Sequence, residues 1–142
     1  MISTIIQAAE NFCIHQIRLP YSIHNDVNKT RTLIAYIDIN TLNNEKYRVY
    51  LSADEDFIQK VSSIFLEEEK SDEETLIDML LETANLIIGS AKVLAEKSDN
   101  PYSISTPNFE KNGKFDFEYN EIKTLQIEGA RLSIAIKDIT NK

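Results

Sequence analysis

Residues 72–97, DEETLIDMLLETANLIIGSAKVLAEK, hold no proline and repeat their apolar residues at three, four and seven residue steps. Leu76, Ile77, Leu80, Leu81, Ala84, Ile87, Ile88, Ala91, Leu94 and Ala95 carry the repeat, which is the pattern of one long amphipathic helix. At about 100° per residue they fill an arc of roughly 140°. So wide a stripe asks for a broad apolar partner, such as the face of a sheet. Glu82, Asn85 and Gly89 fall on the opposite side, with Asp78 and Lys92. The glycine is out of place there, because in a helix interior it costs about 1 kcal/mol relative to alanine and no core packing on the wet side calls for a small residue. It implies that something approaches that surface closely.

With 142 residues, the chain is long enough for one well-cored domain and short for two. A hydrophobic share of 42% and a charged share of 27%, with 3 Gly and 3 Pro, are those of a globular protein rather than a disordered one. The formal charge of -8 argues against nucleic acid or an anionic membrane as partner, since both require a clustered basic surface. The longest basic cluster is Lys29 with Arg31. The opening MISTIIQAAENF lacks a basic n-region and is interrupted by Gln7 and Glu10, unlike a signal peptide, and no run reaches the 18 or so apolar residues of a membrane span. Cys13 is the only cysteine; it cannot form an internal disulfide, is expected to be a small core residue, and suits a reducing cytoplasm.

A first helix is predicted from Ile2, Ile5, Ile6, Ala9, Phe12 and Cys13, ending before Pro20. HQIRLPYSIH (residues 15–24) reads as a strand that Pro20 marks as an edge or bulge. RTLIAYIDI and YRVYLSA read as a hairpin joined by NTLNNEK. ADEDFIQKVSSIFLEEE follows as a helix, with Asp54, Glu55 and Asp56 favouring its N-terminal dipole and Phe57, Ile58, Val61, Ile64 and Phe65 on one face. EEEKSDEE is a solvated connection, and Ser71 with Glu74 makes a capping-box pattern for the long helix. Pro101 ends that helix. FDFEYNEIKTLQIEGARLSIAIKD (residues 115–138) alternates with two breaks and reads as two or three antiparallel strands, Gly113 and Gly129 lying at turns or a bulge. The fold class is therefore α+β, a largely antiparallel sheet with long helices packed on it.

Most catalytic patterns are absent from the sequence. His15 and His24 lie nine residues apart with one distant cysteine, a spacing wrong for zinc. No phosphate-binding glycine turn, nucleophile elbow or catalytic cysteine signature is present. What remains is Glu82-Thr83-Ala84-Asn85, whose i, i+3 spacing sets two polar side chains side by side on a helix. Alone, such a pair is usually solvation.

In the middle of a long helix, however, ETANLIIG resembles the E-x-x-N-x-x-x-G signature of the CheC/CheX/FliY phosphatases, which remove phosphate from the response regulator CheY. The order of elements is similar to CheX over nearly the whole chain: an N-terminal helix, paired strands, a short acidic helix, the motif helix, a SISTPNF strand and terminal strands. CheX is the nearer likeness, because CheC-like members typically carry a second motif helix and FliY a further C-terminal domain. The chain departs from the pattern in its first hairpin, where CheX-like chains often have glycines and this one has DINTLNNEKY.

The resemblance implies one CheX-like domain over residues 1–142, cytoplasmic and homodimeric, acting on a phosphorylated CheY-like receiver that itself supplies the phosphoaspartate, Mg²⁺ and a lysine. The chain would bind no cofactor or metal of its own. Asn85 would orient the attacking water, and Glu82 would hold the partner's lysine. Asp78, Gly89 and Lys92 are then expected to touch the partner. Two other readings remain open: a module of the same fold that only sequesters the phosphorylated receiver, and an unrelated interaction domain whose motif is accidental.

Overall fold

The computed structural model describes residues 1–27 and 30–141, so Lys29 of the basic pair lies outside the described residues. The chain begins with α1 (Ile2–Phe12), which runs directly into a single π-helical turn, Cys13–Ile17, closed by Arg18 in the left-handed region at φ 61°. The strand expected over residues 15–24 is therefore helical at its start, through Ile17, and irregular over residues 18–21. Only β1 (Ser22–His24) is extended, at the sheet edge that Pro20 suggests.

β2 (Arg31–Thr41) and β3 (Lys46–Ala53) form the expected hairpin. Asn44 takes φ 64° in the turn, the left-handed conformation that asparagine tolerates better than most residues, so glycine is not needed there. α2 (Glu55–Leu66) and α3 (Glu73–Lys97) follow, then β4 (Tyr102–Ile104), β5 (Asn108–Lys114), β6 (Glu121–Ile127) and β7 (Ala130–Asp138). The strands make one antiparallel sheet in the order β1-β6-β7-β3-β2-β4, and β5 shares the outer edge of β2 with β4. SISTPNF is thus split between two strands rather than forming one. Ser105 bridges the gap: its N–H donates to the Asp38 carbonyl at 2.9 Å, and its hydroxyl accepts from the Asp38 N–H at 2.9 Å.

Alternation along the strands builds two unlike faces. Leu33, Ala35, Ile37 and Ile39 of β2, with Val49, Leu51 and Ala53 of β3 and Leu132, Ile134 and Ile136 of β7, all point into the main core under the helices. The reverse face holds a smaller cluster of Ile34, Tyr50 and Ala135. Residues 115–120, expected as strand, leave the sheet and fold over this reverse face. The Phe117 ring stacks on Tyr50 at 4.6 Å and Phe115 meets Tyr50 edge-on at 5.5 Å. The alternation of FDFEY is real, but it serves to press aromatics onto a sheet instead of into a ladder.

Beside the aromatics, Thr32, Ser52, Ser133 and Thr124 form a buried hydroxyl row across β2, β3, β7 and β6. Thr32 and Ser52 share a 2.6 Å hydrogen bond, Thr124 and Ser133 one of 2.7 Å, and Thr124 also donates to the Asp26 carbonyl. Gly113 lies inside β5 opposite Thr32, whose hydroxyl donates to its carbonyl at 3.1 Å; the irregularity in this pairing falls instead at Ile34/Ala35. Gly129, at φ 84°, makes the β6–β7 turn as expected.

Candidate functional site

Two side-chain caps fix the register of the helices around the site. Asp54 accepts from the Phe57 N–H at 2.9 Å and, through its other oxygen, from the Arg131 N–H at 2.9 Å, tying the start of α2 to β7. At the start of α3 the cap is Asp72, which accepts from the Thr75 N–H at 2.8 Å. Ser71, expected to cap through Glu74, is instead buried, its hydroxyl shared with Ser62 at 2.5 Å and donated to Glu68 at 2.8 Å. Asp and Ser are about equally good N-caps, and the tertiary contact with Ser62 decides between them. On α2, Ile64 is 40% exposed rather than facing the core, and Ser62 is buried in its stead.

α3 lies across the sheet beside α1, its N-terminal part also against α2. Leu76, Leu80, Ala84, Ile87, Ile88, Ala91 and Ala95 are buried as the periodicity predicts. Ile77, Leu81 and Leu94 are only half-buried, while Met79 and Thr83 are buried. The Thr83 hydroxyl donates to the Met79 carbonyl at 2.7 Å. The buried arc is thus rotated slightly from the one expected, and Thr83, polar in sequence, joins the core because its hydroxyl is satisfied within the helix.

On the outer side, Asp78, Glu82 and Asn85 are exposed, and Gly89 and Lys92 are half-buried. Among the described residues, no side-chain hydrogen bond or ion pair engages Glu82 or Asn85. A Cβ placed on Gly89 would meet nothing within 4 Å. No packing accounts for this glycine; it leaves the helix backbone approachable one turn past Asn85. Neither Glu82 nor Asn85 lines a main cavity. A pair of uncommitted polar groups exposed outside the main cavities does not enclose a small molecule, whose sites are concave; it suits a macromolecule that brings its own pocket.

The remaining chemistry-bearing residues lie apart from this pair. Cys13 is buried, and burial, aided by the charge of Glu10, pushes its thiol up to about 12. That leaves it protonated and inert, not the partner of exposed His15. His24 shares a 2.8 Å hydrogen bond with Ser22. Among the described residues no three His, Cys, Asp or Glu side chains gather as metal ligands, and no helix is long and apolar enough to cross a membrane.

The model of the family described as chemotaxis phosphatase CheX matches residues 37–128, more than half of the chain. The chain belongs to the CheX family. Its fold is likewise that of a single CheX-like domain. The CheX of Vibrio vulnificus superposes with a TM-score of 0.78 at 15% identity, over 95% of this chain and 96% of that one. The CheX–CheY–BeF3–Mg²⁺ complex of Borrelia burgdorferi gives 0.71 at 17% identity, over 96% and 97%. FliY of Thermotoga maritima gives 0.61 at 16% identity, over 96% and 84%. At these identities the likeness is one of fold. No curated protein matches the chain by sequence. Within the CheX fold, the outer side of α3 is where the E-x-x-N-x-x-x-G residues stand. Leu86, which completes a row with Glu82, is 39% exposed; it lies outside the apolar stripe that the sequence predicts, and nothing in the sequence marked it for a role.

Proposed function

We propose that this CheX-family protein hydrolyses the phosphoaspartate of a CheY-like response regulator, with Asn85 orienting the attacking water and Glu82 holding the partner's lysine. The observation that carries this reading is the pairing, on one exposed turn of α3, of a carboxylate and a carboxamide committed to no described neighbour. Phosphoryl transfer asks a protein mainly for positioning and charge stabilisation, with entering and leaving oxygens in line. The Asn85 amide meets that need: its oxygen accepts from a water, and its NH₂ donates to a phosphoryl oxygen. The water oxygen bonds to phosphorus as the bond from phosphorus to the aspartyl oxygen breaks. Inorganic phosphate leaves as H₂PO₄⁻, carrying both of the water's hydrogens, and the aspartate is restored as a carboxylate that needs no proton.

Glu82 has a different task, because a carboxylate next to the phosphoryl group would repel it. Paired with the partner's ammonium, it sets the register of the two proteins, and the water then sits in an attack geometry worth several kcal/mol. Mg²⁺ in this scheme belongs to the receiver. Asp78, Gly89 and Lys92 lie along the same side of α3 and are assigned to partner contact. The work is cytoplasmic, where receivers are phosphorylated, and the protein acts as a homodimer; a monomeric mass at micromolar concentration would contradict that last point. Asn85→Ala should leave receiver binding within about threefold and cut hydrolysis by about a hundredfold or more. A protein that only sequesters the receiver would bind it and show no hydrolysis for that substitution to remove.

A further inference from the structure

Glu82, Leu86 and Ser90 follow one another at four-residue steps on α3. They stack as one row, neighbouring Cβ atoms about 5–6 Å apart. Below Glu82 the row becomes one wall of a cavity of about 170 Å³. Its opposite wall is the end of α1 and the π-helical turn: buried Ala8 and Phe12 form the apolar floor, and exposed Asn11, His15 and Gln16 stand at the rim. Leu86, 39% exposed in this wall, is an apolar side chain left uncovered on a helix that buries most of its others.

We propose that this notch between α1 and α3 receives an apolar side chain of the receiver, making Leu86 and Ser90 determinants of receiver affinity. The inference rests on the phosphatase reading and adds the second point at which the partner is held. A stable protein contact covers about 800 Å² on each partner, a patch roughly 30 Å across. Centred on Glu82 and Asn85, such a patch must cover the notch one turn away. An apolar recess with a polar rim beside the charged contacts is where binding energy concentrates. Because a side chain seated there is held equally before and during phosphoryl transfer, it acts on KM rather than on the rate at saturation.

Ser90→Phe fills the notch from an exposed position, and Leu86→Asp sets a charge in its wall. CheY-like receivers phosphorylated with acetyl phosphate serve as substrate, and beryllofluoride-activated receiver is titrated in parallel. Both variants should raise KM and Kd at least tenfold while the saturated rate falls less than threefold, at unchanged melting temperature. KM and Kd within twofold of wild type in both variants would overturn the notch assignment and leave the phosphatase reading intact. A fall in saturated rate with KM unchanged would also overturn it. If wild-type protein accelerates the decay of no receiver, the phosphatase reading fails and takes the notch with it.

Discussion

Gly89 is the residue whose presence the folded chain does not explain from within. Open space surrounds the position of its missing Cβ, so Gly89→Ala should stabilise the protein by about 1 kcal/mol in denaturant titration. Gly89→Leu should retain some of that gain while blocking complex formation with the receiver. Unimpaired binding by the leucine variant would show that nothing approaches the helix there. Cys13 offers an opposite case, a reactive group made inert by its surroundings. Folding raises its thiol pKa from an ordinary value of 9.0 to about 12. Its contribution to stability is therefore complete below pH 9 and is lost as pH rises towards 12. A thiol reagent at pH 8 should leave the native protein unlabelled and label it promptly in denaturant. The positions of Glu82 and Asn85 were legible in the sequence from helical spacing, but their significance was legible only through the resemblance to a family signature. A carboxylate and an amide on a wet face have no physical mark of function until the fold shows that no neighbour uses them.

The helices were the most legible elements, since their periodicity is enforced by a core that covers one side. Where they start was less so. Two residues side by side, Ser71 and Asp72, are both competent caps, and only the buried contact of Ser71 with Ser62 separates them. Hydrogen bonds from Thr75, the hydroxyl foremost and then the amide, hold the Asp72 carboxyl below its ordinary 3.8. Because the folded pKa is lower than the unfolded one, this cap stabilises above about pH 3.8 and is lost as pH falls through the folded value. Asp72→Ala should thus lower the melting temperature at pH 7, and the difference should shrink as pH falls below 3.8; Glu74→Ala should do neither. At the other capped helix, Asp54→Ala removes two bonds to backbone amides, one of them to β7, and is expected to cost about 1–2 kcal/mol. Strand boundaries were the least legible, because alternation alone does not say whether a segment joins the ladder or lies on the sheet. Residues 115–120 alternate as a strand does and lie on it.

As a whole the molecule is one sheet with two differently used faces. The helical face carries the bulk of the core and holds α3 so that its motif side stays outward; the reverse face is closed by the Phe115–Phe117 segment and the hydroxyl row. The stacked pair Tyr50–Phe117 should make Phe117→Ala destabilising by about 2 kcal/mol, less than a fully buried phenylalanine because the ring is only half-covered. That variant should still hydrolyse phosphorylated receiver at temperatures where it remains folded, as its site lies on the other side of the sheet from α3. The two-faced plan, with Glu82 and Asn85 exposed on α3 and outside the main cavities, fits the proposed role of completing another protein's active site. The most direct test is the decay of a phosphorylated CheY-like receiver in Mg²⁺ with wild-type protein, Asn85→Ala and Glu82→Ala. The account predicts accelerated decay with wild type, loss of that acceleration in Asn85→Ala with binding retained, and weakened binding in Glu82→Ala. Decay unchanged by wild type across a panel of receivers, or undiminished acceleration by Asn85→Ala, would contradict it.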